Sequence, residues 1–118
     1  MSLHEILNKS VKASVKIQRV SPRKARLVAD LIRYCSVTDA LLILQTTHKK
    51  SSEIILKLLN SAIANAKENL NIEANNLYVK EARIDMGATL KRHKFDSRGR
   101  IGHKDHQFSH ILVVVREK

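Results

Sequence analysis

The chain has 118 residues, which is enough for one modest core built from Leu, Ile, Val and Ala, since aromatic residues make up only 3%. No apolar run approaches the roughly 18 residues of a membrane span, and the lone Cys35 excludes an internal disulfide and fits a reducing compartment. The 22 Lys and Arg against 11 Asp and Glu give a net charge of +11, which favours nucleic acid as the partner before a membrane surface.

This charge is concentrated in two blocks. Residues 9–26 carry seven cations and no acid, residues 27–86 carry seven of each sign, and residues 87–118 carry eight cations against three acids. A neutral middle between two basic blocks indicates a binding surface more than charge that only keeps a protein soluble.

The first predicted element is a strand over about residues 11–19, which follows a flexible tail over residues 1–10. Its residues alternate between an apolar side (Val11, Ala13, Val15, Ile17) and a polar side (Lys12, Ser14, Lys16, Gln18). A period of two predicts one buried face and one basic face.

The stretch "SPRKARLVADLIR" predicts a helix, with Ser21 as N-cap, Pro22 in the first position and a buried stripe of Leu27, Val28, Leu31 and Ile32. Its first turn contains Arg23 and Lys24, although the positive end of the helix dipole disfavours cations there. A bound anion would resolve this conflict, so the sequence predicts a phosphate site at this helix end. The alternative is a mildly destabilised helix end at the surface.

Two further helices and two strands follow. "SVTDALLILQ" predicts a short helix capped near Thr38, and a long helix is expected over about residues 51–69. Their inward residues are predicted to be Ala40, Leu41, Ile43 and Leu44, and then Ile54, Ile55, Leu58, Leu59, Ala62 and Ala66. Strands over about residues 77–86 and 108–117 complete an α+β domain, with three helices packed on one face of a small three-stranded antiparallel sheet.

The segment KRHKFDSRGRIGHKDHQ (residues 91–107) contains nine Lys, Arg and His among seventeen residues. Loops longer than about 12–15 residues are uncommon in compact domains, and alternating strands flank this one. We therefore predict a long extended β-hairpin over residues 87–107, turning near "DSRGR" and reaching roughly 30 Å from a body of residues 11–86 and 108–118. Such a basic ribbon, with no core of its own, is expected to become ordered on nucleic acid.

A metal-dependent enzyme and a DNA-binding protein are the alternatives to an RNA-binding protein. The spacing of His103, His106 and His110 fits no standard zinc pattern, and the chain lacks a nucleophile–base motif and a glycine-rich phosphate loop. We therefore expect that the chain binds no metal and no cofactor and that it has no enzymatic activity. The alternative in the enzyme class is a His-dependent metal nuclease. An architectural DNA-binding protein with a basic β-arm is the main alternative, but "DSRGR" offers no apolar wedge.

Five motifs in register now identify a resemblance: "SPRKARLVADLIR", "SAIANAKEN", "LYVKEARIDMGATLKR", "RGR" and "SHILVVV". Over about residues 12–116 the chain resembles the bacterial-type family of large-subunit ribosomal protein twenty-two. The resemblance implies a structural protein of the cytoplasmic large ribosomal subunit, which stabilises the folding and assembly of the large-subunit ribosomal RNA. It also implies a hairpin whose tip lines the nascent-peptide exit tunnel.

The resemblance implies RNA contacts at Arg23, Lys24, Arg26, Lys91, Arg92, Arg98, Arg100 and His110, with Arg98, Gly99 and Arg100 at the tunnel wall. The basic blocks add Lys12, Lys16, Arg19, Lys94 and Lys104. The expected partners are large-subunit RNA, neighbouring large-subunit ribosomal proteins and the nascent peptide, with no membrane and no homo-oligomer. The hairpin departs from the family pattern at Ala88, at Phe95-Asp96-Ser97 and at Asp105, so contacts at the tip are not expected to transfer one to one.

Overall fold

The computed structural model describes residues 10–95 and 101–118, with the backbone alone for residues 88–95 and 101–106. The elements follow the predicted order β-α-α-α-β-β. They are β1 (Ser10–Gln18), α1 (Pro22–Ile32), α2 (Val37–Thr46), α3 (Lys50–Leu70), β2 (Leu77–Phe95) and β3 (Ile101–Glu117), with a 3-10 turn at Ala74–Asn76. The predicted α+β class is confirmed.

The sheet has the order β1-β3-β2, and both pairings are antiparallel, so β3 lies in the centre. Ala13 pairs with Val113, and Val113 pairs in turn with Ala82. Because alternate residues of a strand share a face, this register gathers the buried residues of all three strands on one side. The apolar ones are Val11, Ala13, Leu77, Val79, Ala82, Ile84, Ile111, Val113 and Val115.

The helices cover that apolar side, and α3 contacts both β1 and β3. Its buried stripe is the predicted one from Ile55 to Ala66, with Ile54 only partly buried. In α2, Ala40 and Leu44 are buried as predicted, while the N-cap is Ser36, whose Oγ accepts from the Asp39 N–H at 3.4 Å. The core is thus aliphatic, as the composition requires.

The predicted stripe of α1 is half wrong. Val28 and Ile32 are buried, but Leu27 and Leu31 are 56% and 50% exposed. Ala25 and Ala29 are fully buried in their place. Small side chains let a helix lie close to its neighbour, so the buried face follows positions 25, 28, 29 and 32, which share one side of an α-helix. The larger leucines are left toward solvent.

Ile17 is also misassigned by the alternation in β1. A register shift between Val15 and Gln18 marks a β-bulge, and Ile17 has a φ of 58° and is 68% exposed. A bulge adds one residue to its strand, so the alternation of faces is interrupted there. The expectation that Ile17 continues the buried face of β1 is therefore wrong.

Beyond the body, β2 and β3 continue as a two-stranded ribbon, as predicted. Their pairing extends past a second register shift between Met86 and Thr89 and ends at Phe95↔Ile101. The protein measures 62 × 31 × 18 Å. The predicted turn at "DSRGR", residues 96–100, lies outside the described residues, as do residues 1–9 of the predicted tail.

Candidate nucleic-acid interface

The outer face of the sheet, opposite the helices, has a basic edge along β1. Lys12 and Lys16 are both exposed, and they alternate with the buried Val11 and Ala13 as predicted. The centre of this face is formed by partly buried residues of β3, such as Val114, which pairs with Lys12. Lys12 and Lys16 therefore form a basic edge that nucleic acid can contact from the outer side of the sheet, past the partly buried side chains of β3.

The other edge of this face is less basic. Arg83 forms ion pairs with Glu81 at 3.6 Å and with Asp85 at 3.3 Å, and all three side chains are about half exposed. Exposed ion pairs add little stability, but they neutralise local charge. Positive charge on the sheet is thus concentrated at β1.

The first turn of α1 brings two more predicted residues to the surface. Arg23 and Lys24 are exposed, and the turn contains no acidic residue. Ser21 is the N-cap, but its side chain makes no capping hydrogen bond. The predicted conflict between the cations and the helix dipole is therefore present in the structure.

An open cleft of about 620 Å³ lies between the start of α1 and the start of α3, and we call it the α1–α3 cleft. It is lined by Arg19, Val20, Ser21, Lys24, Leu27, Lys49, Lys50 and Ser51. Lys49 and Lys50 were not predicted as RNA contacts, because they fall in residues 27–86, whose net charge is zero. The signal that could have found them is their place at the start of a predicted helix, as for Arg23 and Lys24.

Arg26 has an intramolecular role in addition to its predicted contact with RNA. Its Nε and Nη2 donate to the carbonyl oxygen of Ile84 at 3.2 and 3.1 Å. Arg33 donates in the same way from Nε and Nη2 to the carbonyl oxygen of Ala82, at 3.1 and 2.7 Å, and pairs with Asp30. The two guanidinium groups therefore tie α1 to the free edge of β2.

His110 lies where the ribbon leaves the body. Its Nδ1 accepts a hydrogen bond from the backbone N–H of Ile17 at 3.1 Å, so this bond holds the β1 bulge. A Cβ on Gly87 would lie 3.2 Å from the carbonyl oxygen of Phe108 and 3.3 Å from Nε2 of His110. A side chain at position 87 would therefore need its neighbours to move by a few tenths of an ångström, and the partly buried imidazole packs close to Gly87 at the root of the hairpin.

The remaining predicted RNA contacts belong to the ribbon. Lys91, Arg92 and Lys94 lie on β2 and Lys104 lies on β3, where the pairing sets Arg92 opposite Lys104. Cationic residues at directly opposed positions are unfavourable in a sheet unless an anion is present. Arg98, Gly99 and Arg100 lie outside the described residues.

Among the side chains that the structure describes, no group of three His, Cys, Asp or Glu residues could hold a metal ion, and His103 and His106 are not part of that set. Within the described chain, no helix combines the length and the apolarity needed to cross a membrane.

Comparison with known proteins agrees with the motifs. The sequence model of the family "Ribosomal protein L22p/L17e" matches residues 13–116. The chain is 57% identical over 113 residues to the large ribosomal subunit protein uL22 of Metamycoplasma hominis, covering 96% of this chain and 88% of the relative. It is 50% identical to that of Mycoplasmopsis agalactiae, covering 94% and 97%. The Metamycoplasma arthritidis protein of the same name is 56% identical, but it is longer, so the 98% of this chain that matches covers 55% of it.

Proposed function

Because the chain belongs to the ribosomal protein L22p/L17e family, we propose that it binds large-subunit ribosomal RNA as a structural constituent of the large ribosomal subunit. It acts in the cytoplasmic ribosome, and its role is structural rather than enzymatic. Its partners are the ribosomal RNA and neighbouring ribosomal proteins. This role needs no catalytic residues, and the protein binds RNA through its positive charge and the shape of its surface.

The observation that carries this proposal is the exposure of five cations on the body. Lys12 and Lys16 lie on the outer face of the sheet, and Arg19, Arg23 and Lys24 lie near the start of α1. We call these five residues together the body surface. Two acidic residues of β2, Glu81 and Asp85, lie instead at the opposite edge of the sheet, where they pair with Arg83. A surface of this kind binds a phosphate backbone by releasing its counterions, and reads the shape of the RNA rather than its sequence.

The ribbon supplies the second RNA-binding surface. Its arms run over residues 87–95 and 101–108, and the longer arm spans roughly 30 Å at about 3.3 Å per residue. Lys91, Arg92, Lys94 and Lys104 would contact RNA along these arms, and His110 would do so at the root. Arg98, Gly99 and Arg100 would line the peptide exit tunnel and meet the nascent chain.

With one RNA-binding surface on the body and a second on the ribbon, the protein is proposed to act as a monomer. The body binds RNA at the outer surface of the subunit, and the ribbon extends inward between RNA segments. Each surface is incomplete without RNA, because neighbouring cations repel one another until phosphates approach. Assembly of the RNA around both surfaces would then stabilise its fold.

Co-sedimentation with the large ribosomal subunit after a high-salt wash tests the proposal. We expect the native protein to stay with the large-subunit peak of a density gradient. Many phosphate contacts act together there with the close fit between the protein and the RNA. A protein that is found at the top of the gradient, or with the small subunit, would contradict a constituent role.

A further inference from the structure

The α1–α3 cleft gathers positive charge from three separate parts of the chain. Arg19 follows β1, Lys24 belongs to α1, and Lys49 and Lys50 mark the start of α3. Among the described residues that line this cleft, none is acidic. Four cations around one cavity repel one another, so the arrangement favours an anionic occupant.

Hydrogen bonds fix the walls of this cleft before any ligand binds. Lys50 Nζ donates to the carbonyl oxygen of Arg19 at 3.0 Å, which joins the start of α3 to the end of β1. The buried Ser109 donates from Oγ to the carbonyl oxygen of Val20 at 2.8 Å. An ammonium group has three donors, and this contact uses one of those on Lys50, so the group can bind the backbone and a ligand at once.

One wall of the cleft is apolar. Leu27, which was predicted to be buried, is 56% exposed and lines the cleft together with Val20. A small inorganic anion would gain nothing from such a wall, whereas a nucleotide presents a phosphate together with the apolar faces of its sugar and base. The cleft volume of about 620 Å³ also falls in the range of sites that enclose small organic groups.

We propose that the α1–α3 cleft binds one unpaired nucleotide of the large-subunit RNA. Lys24, Lys49 and Lys50 hold its phosphate, and Leu27 contacts its sugar and base. This inference rests on the proposed function above, and it adds Lys49, Lys50 and Leu27 to the residues that bind RNA. Unpaired nucleotides are available in the loops and bulges of folded RNA, where proteins bind bases outside the helix.

The charged half of the proposal is tested by salt dependence. Filter binding of the full-length protein to purified large-subunit RNA is measured over a series of KCl concentrations. The Lys49→Ala/Lys50→Ala variant is expected to lower the slope of log K against log salt by about 0.7 to 0.9, since both lysines hold the same phosphate and one lost phosphate contact contributes that amount. The control Lys67→Ala/Lys80→Ala removes the same charge from exposed sites, the first about 25 Å along α3 from Lys50, and should leave the slope close to that of the wild type.

The apolar half is tested by Leu27→Ala. This change should lower the affinity for the RNA about threefold to tenfold at every salt concentration and leave the slope unchanged, because no charge is lost. Leu42→Ala is the matched control, since Leu42 is 61% exposed on α2 and does not line the cleft. It should bind as the wild type does.

The outcomes separate this proposal from the proposed function. Wild-type protein without salt-dependent RNA binding would overturn both. Wild-type binding with equal slopes for Lys49→Ala/Lys50→Ala and its control would overturn the cleft proposal alone. A lowered slope with a neutral Leu27→Ala would mean that the cleft binds phosphate only, which also overturns the nucleotide proposal. If the double alanine variant unfolds at a lower temperature, Lys49→Gln/Lys50→Gln replaces it, with the same expected change of slope.

Discussion

Arg26 donates two hydrogen bonds, from Nε and Nη2, to the single carbonyl oxygen of Ile84 at 3.2 and 3.1 Å. Ile84 belongs to β2, which is an edge strand of the sheet. Seven residues further along the chain, Arg33, the C-cap residue of α1, binds the carbonyl oxygen of Ala82 in the same way. An open edge presents unpaired carbonyl groups that invite pairing with another chain, so the two arginines both anchor the helix and protect the edge.

Replacing Arg26 by Lys should lower the free energy of unfolding by about 1 kcal/mol, because an ammonium cannot present the paired, planar donors of a guanidinium. Urea denaturation followed by circular dichroism measures this change. Arg23→Lys is the control, since Arg23 is exposed one turn earlier on the same helix, and it should change stability by less than about 0.5 kcal/mol. Equal effects at the two positions would contradict an anchoring role for Arg26.

The imidazole of His110 should contribute to stability before any contact with RNA. His110→Ala leaves the Ile17 N–H without its acceptor, so we expect a loss of about 1 kcal/mol in the same denaturation measurement. His48 is exposed and serves as the comparison, with an expected change within about 0.5 kcal/mol for His48→Ala. If His110→Ala is as stable as the wild type, the hydrogen bond from the Ile17 N–H to His110 Nδ1 does not stabilise the fold.

Tyr34 and Asn71 both follow helix ends with positive φ, at 64° and 55°. Asn adopts this left-handed region at lower cost than a bulky residue, and the Tyr34 side chain is 77% exposed and therefore loses little packing when replaced. Tyr34→Asn should raise the free energy of unfolding by roughly 0.5 kcal/mol, and Asn71→Tyr should lower it by a similar amount. Thermal unfolding of both variants measures the pair, and a fall in stability for Tyr34→Asn would show that the aromatic ring makes contacts worth more than the backbone strain.

The sequence predicted the fold well where one periodicity governed a whole element. The alternation of β1, the helical stripe of α3 and the strands that flank the basic segment were sufficient to give the α+β class and the ribbon. The sequence did not predict correctly which apolar side chains of α1 are buried. Leu27 and Ala25 are both acceptable core residues, and only the close packing of α1 against its neighbours decides that the smaller one is buried.

The candidate site was predicted in part for a related reason. Cations that are near one another in sequence, such as Arg23 and Lys24, are visible as a block. Lys49 and Lys50 are about 25 residues further along, and only the packing of α3 beside α1 brings them to the same cleft. The intramolecular bonds of Arg26 could not be read from the sequence either, because its charge fits RNA binding and edge protection equally well.

The body surface and the ribbon are expected to bind RNA separately. Deleting residues 89–106 tests it with little damage to the body, since Met86 pairs with Ser109 and the deletion leaves Gly87, Ala88, Gln107 and Phe108 as a four-residue hairpin loop. Circular dichroism should confirm that the shortened protein folds. Its binding to the RNA should keep a salt dependence, but with a smaller slope than that of the wild type.

The most direct measurement is the sedimentation of this deletion protein with large ribosomal subunits assembled in its presence. We predict that the body still joins the subunit, because Lys12, Lys16, Arg23 and Lys24 are retained. A folded deletion protein that loses all association with the large subunit would contradict the account.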